Sequence, residues 1–437
     1  MVAPGPAPLS TLVDQLPSTD RTTRQRKFNG ANKDTNAFGS NGHAGPNKLL
    51  NRRKSRSFSR RLKYIATKYT WAVPLAILVA FFAFYALDPT ESNIVHHFIF
   101  LSYEQSPPDF DTDPTAPRQY GKGLWDIAFV VFYTIVLTFT REFIMQQILR
   151  PLAQICIKTR GKQLRYMEQM YTAIYFGIMG SAGIYVMRQT PVWYFNTRGM
   201  YEFFPHKTHE AAFKFYYLFQ AAYWAQQALV MLLGMEKPRK DFKELVAHHI
   251  VTLVLISLSY RFHFTYMGIG VYITHDLSDF FLAVSKSLHY MGTDLVIPFY
   301  AISVGAWIYL RHYLNLHILY SLLTDFRTVG PYELNWETQQ YKCWISNIIT
   351  FTLLAVLQSL NLFWLYCLLR SAWRLFVHGE KKDDRSEEDE SELEMERKME
   401  KEKHLLVGNG SAHGSVNGMA KATVNGVTPD QPRSKPL

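Results

Sequence analysis

The stretch Glu244–Tyr290, ELVAHHIVTLVLISLSYRFHFTYMGIGVYITHDLSDFFLAVSKSLHY, decides how this chain is read. It holds two apolar runs, Leu245 to Tyr260 and Met267 to Val284, split by a short polar hinge around Arg261 and His263. The first run opens on the pair His248 and His249, and the second carries His275, Asp276 and Asp279 near its middle. Ionisable side chains are costly in a bilayer, so on spanning helices they face a protein interior or a wet cavity and serve a function. Five of them on two adjacent spans make an active site the expectation.

A helix rises about 1.5 Å per residue. With the first run entering from the cytosol, Lys243 and His249 are separated by roughly 9 Å along the axis. With the second entering from the lumen, Asp276 lies roughly 14 Å deep and Asp279 roughly 18 Å. The two sets then converge in depth. Asp276 and Asp279 share one helix face, and Thr252, Ile256 and Ser259 continue the face begun by the histidines. A carboxylate beside a histidine orients the ring and selects its tautomer.

Working outward, the 437 residues are 48% hydrophobic and 15% aromatic. A mean hydropathy of −0.10 is misleading, because polar ends dilute an apolar middle. Further runs of spanning length fall at Trp71–Leu87, Leu124–Thr140, Tyr171–Met187, Phe215–Met235, Leu295–Leu319 and Trp344–Leu369. Arg311 and His312 interrupt the Leu295–Leu319 run. The expectation is an all-α integral membrane protein of about eight transmembrane helices with both termini cytosolic. The basic cluster before Trp71 and the lysines and arginines at 141–165 and 237–243 fit that orientation. The loops assigned to the lumen carry about as many cations over a longer length.

Residues 1–63 read as a disordered, basic cytosolic arm, and 64–123 as the first span with its acidic, proline-containing lumenal loop. Residues 124–374 form the membrane domain, and 375–437 a charged, disordered cytosolic tail. No signal peptide is expected, since the first apolar run begins some seventy residues in. Ser55, Ser57 and Ser59 lie among basic residues, while Ser386 and Ser391 precede acidic ones, so both tails read as phosphorylatable. The net charge of +11 sits beside spans without a nucleic-acid-binding motif, so no nucleic acid is expected. Cys156, Cys343 and Cys367 show no metal-ligand or disulfide spacing.

Three chemistries compete for the central residues. Polar groups can simply tie helices together, but five ionisable groups exceed what packing requires. Two histidines and two aspartates can bind zinc or iron, but membrane di-iron sites need more histidines in spaced clusters. Histidine-based acyl or proton transfer in a membrane cavity fits best, and no metal is expected.

HHIVTLVLISLSY followed by HDLSDFFLAVSK, which includes Lys286, resembles the Lag motif of ceramide synthases in the TLC-domain family. PRKDF (Pro238–Phe242), YYLFQAAYWAQQ (Tyr216–Gln227) and WYFNTRGMYEFFP (Trp193–Pro205) look like its fungal branch. The resemblance extends over about Leu124 to Arg374. Many animal members carry Asn and Arg in the hinge where this chain has His263 and Tyr266, a departure that bears on substrate preference rather than chemistry.

The resemblance implies a TLC-type bundle of six or seven helices around an internal cavity, in the endoplasmic reticulum membrane. The implied reaction is transfer of a fatty acyl group, very long chain, from acyl-CoA to the amine of sphinganine or phytosphingosine. His248, His249, Asp276 and Asp279 would be catalytic, with His249 favoured as the reactive one. His275, Tyr260 and Lys286 would support them. Lys237, Arg239, Lys240 and Lys243 would contact the acyl-CoA phosphates. No cofactor is implied, because a thioester is already activated. The implied partners are the bilayer and a homo- or hetero-oligomer with a paralogous synthase and a small single-pass subunit. Some relatives act instead in lipid sensing or protein translocation without catalysis.

Overall fold

In the computed structural model, residues 69–106, 117–236, 240–378 and 398 are described. The proposed phosphorylatable serines, the arm 1–63 and the tail apart from 375–378 and 398 lie outside them. The long helices are α1 (Ala72–Leu87), α2 (Trp125–Phe143), α3 (Arg160–Arg188) and α4 (Ala211–Leu232). They continue as α5 (Phe242–Arg261), α6 (Thr265–Met291), α7 (Val296–Trp307) and α8 (Trp344–His378). Four stretches among the described residues are long and apolar enough to cross a membrane: Trp125–Cys156, Arg160–Arg188, Phe242–Arg261 and Trp344–Arg374. Helix Ala72–Leu87 is apolar but shorter.

Two rods change register along their length. Helix α2 runs through a π-helical turn, Ile144–Leu149, into Arg150–Cys156. Pro151, which cannot donate a backbone hydrogen bond, follows that turn directly. Helix α7 runs through a second π turn, Ile308–Leu314, into Asn315–Ser321. The interruption at Arg311 and His312 is therefore no break in the rod. Both residues are buried within that turn.

Helices α5 and α6 form the central hairpin. His263 takes a left-handed backbone (φ 67°), which allows the chain to reverse between Arg261 and Thr265. Gly292, also left-handed at φ 71°, ends α6, and its N–H donates to the carbonyl of His289 (3.0 Å). Helix α6 lies close against α3 because α3 presents glycines there. A Cβ on Gly180 would come within 2.8 Å of Leu277, and one on Gly183 would overlap the Tyr216 hydroxyl. That close approach sets Asp276 in the core at 0% exposure.

One end of the bundle is capped. Strands β1 (Glu104–Gln105), β2 (Gln119–Tyr120) and β3 (His209–Glu210) form a small antiparallel sheet, with Glu104 opposite Tyr120 and Tyr120 opposite His209. Lys214, fully buried, pairs with Asp126 at 2.7 Å and donates to the carbonyls of Ser102 (2.8 Å) and Gly121 (2.7 Å). The segment after α3 docks on the one after α7 through Thr197 to Asp325 (2.7 Å) and Tyr201 to Ser321 (2.6 Å).

In this cap Lys122 donates to the carbonyl of His206 (2.9 Å) and to Nδ1 of His263 (3.3 Å). Burial, aided by Lys214 and opposed by Asp126, pushes its amino group down to about 7 from the ordinary 10.5. Between those values the unfolded chain holds a proton that the folded chain does not, so stability rises with pH across that window. The melting temperature of the purified protein should climb between about pH 7 and pH 9, and Lys122→Met should flatten the climb. Equal slopes in the two proteins would show that Lys122 is not the titrating group.

Candidate active site

The histidine pair sits near the uncapped end of α5, and both rings are buried. His248 packs edge-on between two indoles, Trp224 of α4 (ring centroids 5.5 Å apart) and Trp364 of α8 (5.3 Å). Trp364 is held in turn by its Nε1 donating to Asp241, at the start of α5 (3.0 Å). His249 lies 5.9 Å from the same Trp224 ring. Its Nδ1 donates to the Leu245 carbonyl one turn back (2.9 Å), which leaves Nε2 as the nitrogen with the lone pair. His248 Nδ1 is buried with no hydrogen-bond partner among the described residues.

The second set is built around α6. Asp276 Oδ2 accepts from Gln220 Nε2 and from the Tyr216 hydroxyl (3.4 Å), both on α4. Tyr216, Gln220 and Trp224 recur every four residues, so one face of α4 serves both sets. Asp279 forms an ion pair with Arg311 at 2.7 Å. Arg311, 2% exposed, also donates to the Ser278 hydroxyl (2.6 Å) and to Asn361 Oδ1 (3.1 Å), with its guanidinium 4.0 Å above the Trp307 ring. Asn361 turns its amide to His275 Nε2 (3.2 Å), while His275 Nδ1 donates to the Val271 carbonyl (2.8 Å). His275 is thereby fixed as the Nδ1–H tautomer.

A cavity of about 230 Å³ runs between α5, α6 and α8. His248, His275, Thr252, Trp224 and Tyr272 line it together with many aliphatic side chains, and it reaches the cap at Phe262 and Tyr341. His249, Asp276 and Asp279 are not among the lining residues. The structure thus brings His248 and His275 to one cavity, from α5 and α6, and places Asp276 and Asp279 in the polar networks described above.

The remaining sequence-derived candidates are spread out. Tyr260 donates to Asp126 in the cap (2.8 Å), far along α5 from the histidines. Lys286 is half-buried, two turns past Asp279 on α6. Lys240 and Lys243 are exposed at the start of α5, at the same end as the histidines. Lys237 and Arg239 lie outside the described residues. Arg311, Asn361, Gln220 and Trp224 were not among the candidates. An arginine inside an apolar run and a glutamine at helical spacing from a tryptophan are the signals that point to them.

These features belong to a helical membrane domain with a polar centre, and the comparisons say which one. The sequence profile of the TLC domain matches residues 165–370. The chain belongs to the TLC-domain family. Within that family it is 56% identical over 346 residues to a sphingosine N-acyltransferase-like protein of Gibberella moniliformis, covering 78% of this chain and 88% of the relative. A sphingosine N-acyltransferase of Schizosaccharomyces pombe is 46% identical over 351 residues, 79% of this chain and 89% of that one. A ceramide synthase of Saccharomyces cerevisiae is 47% identical over 328 residues, 74% of this chain and 78% of that one.

Proposed function

We propose that this protein is a ceramide synthase, transferring a very long fatty acyl group from acyl-CoA to the amine of sphinganine or phytosphingosine. The observation that carries the reading is a buried imidazole, His248, on the wall of an apolar cavity. The likeness over 74–79% of the chain to a ceramide synthase and to a sphingosine N-acyltransferase supports it. Such a cavity suits a lipid chain, and an imidazole is the side chain best matched to proton transfer near neutrality.

The sphingoid amine arrives as an ammonium and must lose a proton before it can attack. In the direct route His248 takes that proton, and the nitrogen lone pair adds to the thioester carbon. The C–N bond forms, the C–S bond breaks, and the electron pair leaves on the CoA sulfur. In the two-step route an imidazole nitrogen attacks first, giving an acyl-imidazole and CoA thiolate, and the amine then displaces the imidazole. In both, the ammonium loses two protons, one finishing on the thiol and one in solvent. No metal or redox cofactor is required. His248 is preferred here over His249, because it is the one that lines the cavity. Asp276 and Asp279 set the charge of the surrounding network, and His275 supplies a second imidazole to the same cavity.

The proposed setting is the endoplasmic reticulum membrane, with eight crossings and both termini cytosolic; the four spanning stretches and the TLC-domain match support a multi-pass membrane protein. Lys240 and Lys243, with Lys237 and Arg239, would then face the cytosol and take the CoA phosphates. Assembly with a paralogous synthase and a small single-pass subunit, and phosphorylation of the tails, complete the proposal. The test is purified protein in detergent or nanodiscs with acyl-CoA and sphinganine, read by mass spectrometry. Ceramide and free CoA should appear in equal amounts, and CoA release without ceramide would overturn the reading.

A further inference from the structure

Most hydroxyls on these helices bond to their own backbone one turn back, as Ser257 does to Leu253 (2.7 Å), Ser287 to Ala283 (2.8 Å) and Thr172 to Glu168 (2.9 Å). Thr252 does not. Its Oγ1 is buried with no hydrogen-bond partner among the described residues, although the His248 carbonyl stands at the usual position. The same holds for Trp224 Nε1, for the Tyr272 hydroxyl and for His248 Nδ1. All four side chains line the same otherwise apolar cavity. Buried polar atoms in native proteins are paired almost without exception, and those that are not require an explanation. Four converging on one cavity from α4, α5 and α6 point to a polar group of the ligand.

We propose that the indole N–H of Trp224 and the hydroxyl of Thr252 form the oxyanion site of acyl transfer. This rests on the acyltransferase reading above. The Trp224 ring centroid is 5.5 Å from that of His248 and 5.9 Å from that of His249, so the indole packs against both imidazoles. An indole nitrogen donates and never accepts. It therefore cannot receive a proton from the amine, but it suits a carbonyl oxygen. Thr252 follows His248 by one helical turn on the same face. When the nucleophile's lone pair adds to the acyl carbon, the C=O π pair moves onto oxygen, where the two donors meet the new charge. On collapse that pair re-forms C=O, and the C–S pair leaves on sulfur. Donors already in place and shielded from water stabilise such charge more than donors that must reorient.

Trp224→Phe keeps a ring against the histidines, and Thr252→Val keeps the branch, so each removes a donor with little change of shape. Each should lower kcat roughly a hundredfold while leaving KM for acyl-CoA within about threefold. Two unreactive analogues separate chemistry from packing. One is an acyl-CoA thioether that lacks the carbonyl oxygen. The other is a trifluoromethyl ketone that forms a tetrahedral oxyanion. Affinity for the ketone should fall in parallel with kcat, and affinity for the thioether should hold. A Trp224→Phe protein with kcat within about threefold of wild type, or with equal losses for both analogues, overturns the proposal. If Trp224→Phe does not fold, Thr252→Val decides by the same readouts. A wild type that makes no ceramide overturns the acyltransferase reading and the donor site with it. An active wild type beside a fully active Trp224→Phe overturns the donor site alone.

Discussion

His248→Ala should make ceramide at least about a thousandfold more slowly than the wild type, whichever route the acyl group takes. The ring is the imidazole of the pair that lines the cavity, and His275 is the other imidazole in that lining. His275 cannot simply replace it, because its Nδ1 is committed to Val271 and its Nε2 to Asn361. Alanine also removes a ring packed between Trp224 and Trp364, so some loss of stability is expected. His248→Asn, which fills more of the space, separates the two effects: it should melt closer to wild type and be just as inactive. His249→Ala provides the contrast. If His249 only orients, by its bond to the Leu245 carbonyl, its loss should cost less than that of His248. Intact mass spectrometry after acyl-CoA alone distinguishes the routes. An added acyl mass in the wild type, absent from His248→Ala, marks an acyl-imidazole; an unmodified mass with acyl-CoA bound leaves the direct route. Residual activity in His248→Ala above about a tenth of wild type would move the chemistry to another residue.

Much of this arrangement was legible in the order of residues. His248 with His249, and His275 with Asp276 and Asp279, declared themselves because charge in an apolar run has few innocent explanations. The hinge at His263 and the runs on either side of it follow from hydropathy alone. Partners far apart in sequence were not legible. Nothing local in HDLSD says that Asp279 pairs with Arg311, more than thirty residues on, or that Asp276 is held from α4 by Gln220. Arg311 read as an interruption because a cation and an imidazole side by side break an otherwise apolar run. The π turn in which both are buried leaves no simple mark on the sequence. The face Tyr216, Gln220, Trp224 was visible as a period of four. Its significance needed the position of α4 against α5 and α6, which depends on the glycines of α3. Tyr260 shows the opposite error: near the motif in sequence, it belongs to the Asp126 and Lys214 cluster of the cap.

Arg311→Leu should be strongly destabilising, by about 3–5 kcal/mol, because it removes a buried guanidinium that pairs with Asp279 and holds two further side chains. The same guanidinium also holds Ser278 and Asn361, and through Asn361 it fixes the tautomer of His275 on the cavity wall. Loss of the arginine therefore reaches both the fold and the polar wall. Arg311→Lys separates them. A lysine keeps the charge near Asp279 and so should recover most of the melting temperature. Its point-like ammonium cannot span Ser278, Asn361 and Asp279 as a planar fork does. Arg311→Lys should thus fold and yet work slowly, with a shifted pH profile as His275 loses its fixed tautomer. A second comparison isolates the ion pair. In Arg311→Leu combined with Asp279→Leu both members of the ion pair are gone, and stability should return part of the way even though activity does not. Thermal unfolding of the detergent-purified variants gives the first readout and kcat against pH the second. An Arg311→Leu protein that melts with the wild type would mean that Asp279 is held or solvated well enough without Arg311, and the ion pair would then have no structural role.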